Sequence, residues 1–254
     1  MATKIGITER GDAGLDFSWV SKMDNINAAV LVTKNVNEKF SEEVLPFKDK
    51  VIVHCTCTGL GGTIYEPNVP KWQTQIDNIR DMVEMGFPAK QVVIRIDPII
   101  PTNSRMLDVA EKVVCASSDM FRRYRVSLVD MYPHVRNRFL RKRLILPYGD
   151  SFYPSPMHTA KVDCWIRMMR NKYGVHFEAC SESRLKEPEH IGCVSEKDCR
   201  ILGIEYKGDG TAFRQRRECM CIPAKTELLS NRQPCAHDCV YCYWKKKEES
   251  YERL

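Results

Sequence analysis

The 254-residue chain has no apolar run long enough to cross a bilayer. Its opening, MATKIGITERGD, lacks the apolar stretch of a secretory signal. The expectation is a soluble, cytoplasmic protein with no membrane partner. There is no low-complexity tract to suggest disorder, and no internal repeat. A Walker-type phosphate loop and a complete dinucleotide fingerprint are also missing. Charge of either sign is not extreme. The formal balance of +6 is weak evidence for an anionic partner such as nucleic acid. The run Lys245-Lys246-Lys247 fits such a contact or a solvated helix end.

Cysteine is abundant. Twelve cysteines are many for a chain of this size without an export signal, since disulfide scaffolds of that density are short and secreted. In a reducing compartment, clustered thiols bind metal or do redox work. Eight of the twelve lie at or after Cys180, and five fall between Cys219 and Cys242. This asymmetry separates a cysteine-rich region, 183–254, from an ordinary α/β body, 1–182.

Within that body, runs rich in Val, Ile and aromatics alternate with helical patterns. The expected strands are Lys4–Thr8, Ala28–Lys34, Val51–Thr58, Val92–Asp97, Tyr124–Met131 and Val175–Ser181. The clearest expected helix is Lys71–Met85, where Trp72, Ile76, Ile79 and Val83 recur at steps of four and three. Arg105–Cys115 and Met157–Tyr173 read likewise. Strand–helix alternation implies βαβ units and a parallel sheet, and six strands imply a partial (β/α)6 TIM-like barrel.

The strands begin apolar and end polar, and in parallel α/β sheets the carboxyl ends carry the site. Arg95 and Asp97 share one strand face, so they pair with each other or meet a polar ligand. Arg95 is a candidate for a cofactor carboxylate and Asp97 for cofactor hydroxyls. Arg10, Lys34 and Glu66 are strand-end or loop groups able to reach a cofactor or substrate, and are the candidate catalytic residues. His54 and His176 read as satisfied core histidines. Cys55, Cys57, Cys115 and Cys164 read as packing thiols.

The most specific string is Cys235-Ala-His-Asp-Cys239-Val-Tyr-Cys242. Three thiolates on one tight loop can each hold one iron of a cubane cluster, leaving the fourth iron open for S-adenosylmethionine. Zinc ligation and uncommitted thiols are the alternatives. Tyr241 fits a group packing near the adenine, and His237 one that shields the cluster.

This string resembles the radical S-adenosylmethionine superfamily signature, C-x3-C-x-aromatic-C. Its extension through Tyr243 is similar to the version in spore photoproduct lyase. Most members of that superfamily carry the triplet after the first barrel strand, so a C-terminal triplet implies a circularly permuted barrel. Roughly residues 4–244 resemble a largely uncharacterised set of bacterial and phage proteins. Those share Arg10 and Asp12, Thr33-Lys34-Asn35, Glu66-Pro67-Asn68-Val69-Pro70, Arg95-Ile96-Asp97-Pro98 and the triplet. They also carry cysteines matching Cys180, Cys193, Cys219 and Cys221. The resemblance implies a second, closed site at those four, either an auxiliary 4Fe–4S cluster or zinc. Cys199 is the substitute ligand.

Three functions follow as expectations. The first is a radical S-adenosylmethionine enzyme, an isomerase, lyase or other base-modifying activity, acting on a nucleobase or modified nucleotide in DNA. The basic stretches Arg136–Arg143 and Arg214–Arg217 would contact phosphates. The second is a radical enzyme for a small metabolite or peptide, and the third a non-catalytic zinc or iron–sulfur protein. The enzyme readings need an electron donor such as flavodoxin or ferredoxin.

Overall fold

A computed structural model of the chain describes residues 2–103, 105–210, 218–223, 225–230 and 235–244. The basic stretches 214–217 and 245–247 therefore lie outside the described residues. Along the chain run β1 (Ile5–Ile7), β2 (Ala28–Thr33), α1 (Glu38–Val44), β3 (Val51–Thr56), α2 (Trp72–Glu84), β4 (Val92–Ile99) and α3 (Met106–Ser117). There follow β5 (Arg123–Leu128), α4 (Pro133–Arg141), α5 (Pro156–Tyr173), β6 (His176–Ala179), β7 (Glu189–His190), α6 (Glu196–Ile201) and β8 (Thr226–Glu227).

The six expected strands all form, and they lie side by side in chain order. The sheet nevertheless has eight strands, β7-β6-β5-β4-β3-β2-β1-β8, every neighbouring pair parallel. The expected count of six omits β7 and β8, which are two residues each and sit at opposite edges.

Side-chain alternation gives the sheet two different faces. Leu31, Val53, Ile94, Val126 and Phe177 point to the side covered by α1, α2, α3 and α5 and form the main core. Ile76 and Ile79 of α2 pack there at 3% and 0% exposure, each contributing about 1.5–3 kcal/mol by burial. α5 is bounded by Ser155, whose side chain accepts from the His158 N–H, and by Gly174, at φ 63° in the left-handed region. The opposite face carries Ile5, Ile7, Val30, Ile52 and Val93, packed against Val194, Cys199 and Ile222 from the C-terminal third. One step toward the carboxyl ends this inner face turns polar: Thr56, Arg95, Arg125 and Glu178 stand in register on four adjacent strands.

Four side chains depart from expectation. His54 is fully buried, but neither ring nitrogen has a hydrogen-bond partner among the described residues. Burial, with Arg125, Arg95 and Arg123 nearby, pushes its pKa well below the usual histidine range, so it is neutral. His176 is exposed at the start of β6 and meets Glu189 at 2.5 Å. Cys115 and Cys164 are exposed on α3 and α5, because they fall on the solvent stripes of those helices, whereas Cys55 and Cys57 are buried.

Candidate metal centre

The polar ends of the strands open into a cavity of about 600 Å³. Cys235, Cys239 and Cys242 line it, and so do Cys180, Cys193, Cys219 and Cys221. Both cysteine groups thus face one space, from different elements.

The triplet loop is held from three directions. Asp12, just past β1, is its base. Its Oδ1 accepts from the Thr33 hydroxyl at 2.6 Å and the Gly14 N–H at 2.8 Å. Its Oδ2 accepts from the Lys34 N–H at 2.6 Å and from His237 Nε2 at 2.8 Å. Burial opposes charge on Asp12, but His237 and these donors outweigh it and hold its pKa below the usual carboxylate range. From the segment after β3, Asn68 donates to the Ala236 carbonyl at 2.7 Å, and the Tyr65 carbonyl accepts from the Val240 N–H at 3.0 Å. From α4, Arg138 donates to the carbonyls of Val240, at 2.9 Å, and Cys242. Inside the loop Asp238 sits at φ 55°, a conformation that Asp tolerates better than most side chains. It lets Cys235 and Cys239 turn toward the same space.

Lys34, Glu66 and Tyr241 form one buried knot. Lys34 Nζ meets Glu66 Oε1 at 2.8 Å and the Tyr241 hydroxyl at 2.9 Å. Tyr241 also donates to Glu66, and Thr58 donates to Glu66 Oε2 at 2.8 Å. Lys34 and Tyr241 line the cavity; Glu66, at 0% exposure, stands behind its wall. Of the three candidate catalytic groups, Glu66 is thus placed as an anchor. Burial would strip the charge from Lys34, but Glu66 and Cys239 raise its pKa instead. Burial pushes the Cys239 thiol up to about 12, with Lys34 pulling the other way, and the Cys235 thiol up to about 11. These thiols are protonated at neutral pH, and a bound metal would displace the protons.

Arg95 and Asp97 pair with each other, and the Ser127 hydroxyl also donates to Asp97. Both line the cavity, so the pair is formed at its wall. Arg10 lines the mouth, with its guanidinium 5.6 Å from the Trp244 ring centre.

The upstream cysteines converge from three segments: Cys180 follows β6, Cys193 precedes α6, and Cys219 and Cys221 precede β8. The sulfurs of Cys180, Cys219 and Cys221 all lie within 4.8 Å of one another, with Cys180 and Cys221 3.9 Å apart. Cys193 interacts with Cys180 and Cys221. Crowding divides their protons. Cys193, Cys219 and Cys221 hold Cys180 far below the usual thiol range, while Cys180 and its neighbours push Cys221 far above it. Ser181, at φ 59°, is a strained turn beside Cys180. Gly192 permits the closure, since a Cβ there would lie 2.4 Å from the Met220 carbonyl oxygen and 2.5 Å from the Cys221 Cα. Cys199 is buried in the separate apolar cluster, away from this group. Arg125, Arg95 and Lys225 stand near these thiols, so three cations surround the site.

A family model described as a domain of unknown function (DUF1848) matches residues 17–244. The chain belongs to the DUF1848 family. No curated protein matches it. In this DUF1848 chain the matched span contains all seven cavity-facing cysteines and the groups that hold them, Asp12 excepted.

Sequence reasoning missed several site residues. Asp12 carried a signal, a carboxylate just past a strand end. Arg138 sat within a stretch read as phosphate-binding, yet it is 5% exposed and bound to the loop, while Arg136 pairs with Asp150. Glu182 also lines the cavity; burial, with Asp130 and Asp97 adding, pushes it up to about 8.

Proposed function

We propose that the protein is a radical S-adenosylmethionine enzyme acting on a nucleobase or modified nucleotide, with its primary 4Fe–4S cluster on Cys235, Cys239 and Cys242. The observation that carries this is the convergence of all three thiols on one cavity at the carboxyl ends of a parallel sheet. Its volume falls in the range of about 300–1,000 Å³ typical of small-molecule sites. When bound, the cluster and S-adenosylmethionine supply a 5′-deoxyadenosyl radical that abstracts hydrogen from the substrate. The chain's own residues do the rest. Asp12, Asn68 and Arg138 fix the loop, Lys34 places a cation beside Cys239, and Tyr241 packs over the cofactor space. The Arg95–Asp97 pair offers both charges to the polar ends of a bound cofactor.

The consecutive strand order fits a partial barrel, and its edge fits a permuted one. β8 pairs with β1 in parallel and leads into the cysteine loop. Starting the barrel at β8 restores the order strand, cluster loop, strand. The nucleobase reading is supported by the formal +6 charge and by Tyr243 and Trp244 at the cavity.

The upstream thiols form a closed metal site on this reading. A tetrahedral zinc with bonds of about 2.3 Å holds its sulfurs about 3.8 Å apart, whereas a cubane spreads them, one per iron. The 3.9 Å between Cys180 and Cys221 favours a single ion over an auxiliary cluster.

Anaerobic reconstitution tests both assignments. The expected protein is brown, holds about four irons and about one zinc per chain, and cleaves S-adenosylmethionine when reduced. Cys239→Ala abolishes the cleavage. A colourless zinc protein overturns the enzyme, and about eight irons without zinc overturns the single ion.

A further inference from the structure

From the cavity runs a chain of rings, of which the reading above uses only Tyr243 and Trp244. Trp244 lies 5.3 Å from Tyr243, Tyr243 6.0 Å from Tyr132, Tyr132 5.0 Å from Phe152, and Phe152 4.8 Å from Tyr153, centre to centre. A guanidinium caps each end. Arg10 sits over Trp244, and Arg184 lies 3.8 Å from the centre of Tyr153. The series crosses from the end of β1, through the cysteine loop and the segment after β5, to the segment after β6. Its Arg10, Tyr243 and Trp244 line the cavity itself.

We propose that this series is a stacking platform for a single-stranded nucleic acid, which lays its bases on the rings and delivers one into the cavity. The inference rests on the nucleobase reading above and names the form in which that base arrives. Tyr153, Tyr243 and Trp244 are 50%, 38% and 42% exposed, a cost in water unless something covers them. The contacts Tyr132–Phe152 and Phe152–Tyr153 are edge-on, at 88° and 77°; Tyr132 is stacked on His134, while the partly exposed Tyr153 and Trp244 each have a guanidinium over one face. Every base has a π-face, and rings flanked by cations that can meet phosphates suit sequence-tolerant single-strand binding. The acidic group nearest in sequence to Phe152, Asp150, is occupied by Arg136. The run Lys245-Lys246-Lys247 follows Trp244 directly in sequence. A base inside a duplex could not stack here unless it were extruded.

The test uses the reconstituted full-length protein, a labelled twelve-nucleotide mixed-sequence DNA strand, and the matching duplex. Binding is measured by anisotropy at several salt concentrations. The single strand is expected to bind more tightly than the duplex, with affinity falling as salt rises. Tyr153→Ala and Trp244→Ala should each weaken it roughly fivefold to a hundredfold, and Arg184→Gln should flatten the salt dependence. Ile145→Ala, an exposed apolar residue outside the ring series, should leave binding unchanged. Equal affinity for duplex, no binding, or binding indifferent to both ring variants overturns the platform. So does binding of a tyrosine-rich acidic peptide in place of DNA. S-adenosylmethionine cleavage by the same wild-type sample is scored separately. Its absence overturns the radical reading, whereas cleavage without strand binding overturns the platform alone.

Discussion

Removing the charge of Glu178 should cost the fold about 3 kcal/mol and should do so only above acid pH. The carboxylate is 0% exposed and lies one step below Cys180 on the inner face of β6. Its Oε1 accepts from Arg123 Nε at 3.0 Å and Lys197 Nζ at 2.8 Å, and its Oε2 from Arg125 Nη2 at 2.7 Å and Arg123 Nη2 at 3.1 Å. Burial alone would raise its pKa. The two guanidiniums and Lys197 win, lowering it from 4.5 to about 2. That drop corresponds to about 3 kcal/mol of favourable interaction with the charged form. The figure agrees with the roughly 3–5 kcal/mol lost when one partner of a buried ion pair is removed. The folded pKa is the depressed one, so the stabilisation is complete above pH 4.5 and fades as pH falls toward 2. Glu178→Gln keeps the shape and removes the charge. Urea unfolding of metal-free protein, followed by circular dichroism, should show a deficit of about 3 kcal/mol at pH 7, shrinking to about 1 kcal/mol at pH 3. A deficit below about 1 kcal/mol at pH 7, or one that does not shrink, would refute the argument.

Two further variants separate the metal sites. Gly192→Ala drives a Cβ into the Met220–Cys221 backbone, so it should empty the upstream site while leaving iron on the triplet. Metal analysis should then find zinc falling from about one per chain toward zero with about four irons retained, and parallel loss of both metals would contradict it. Arg138→Met keeps an apolar stem in α4 but removes the donors to the Val240 and Cys242 carbonyls. Hydrogen bonds from a charged donor contribute about 1.5–3 kcal/mol each, so iron should leave to a chelator roughly tenfold faster or more. An unchanged rate would mean that the loop does not depend on α4.

The body of the sheet was legible because β3, β4 and β5 concentrate β-branched and aromatic residues between turns, as in Val51-Ile52-Val53. The face assignment of Arg95 and Asp97 followed from period two alone. β7 and β8 carry too few residues to show any period. α4 was hidden because its short apolar stripe, Val135 and Phe139, lies among arginines that read as a surface patch. The Asp12–His237 contact joins residues 225 positions apart, and nothing local in either segment specifies it. Burial and partnering diverged for His54: a strand position predicts that a side chain is inside, but not that anything is there to receive its hydrogen bonds.

The triplet loop is held by contacts with the sheet and the segments beside it. Its side-chain anchors, Asp12, Lys34, Glu66, Asn68 and Arg138, lie upstream, on or beside elements that precede residue 142. The β1–β6 ladder closes with residues 5–179 and uses none of the loop. The loop, by contrast, has little regular structure of its own and takes its shape from contacts with that ladder. The dependence therefore runs one way: the body specifies the loop, and the loop presents the thiols. Asp12 and Arg138 hold the loop backbone and His237, and Lys34 holds Tyr241, so these contacts with the body set where the thiols stand.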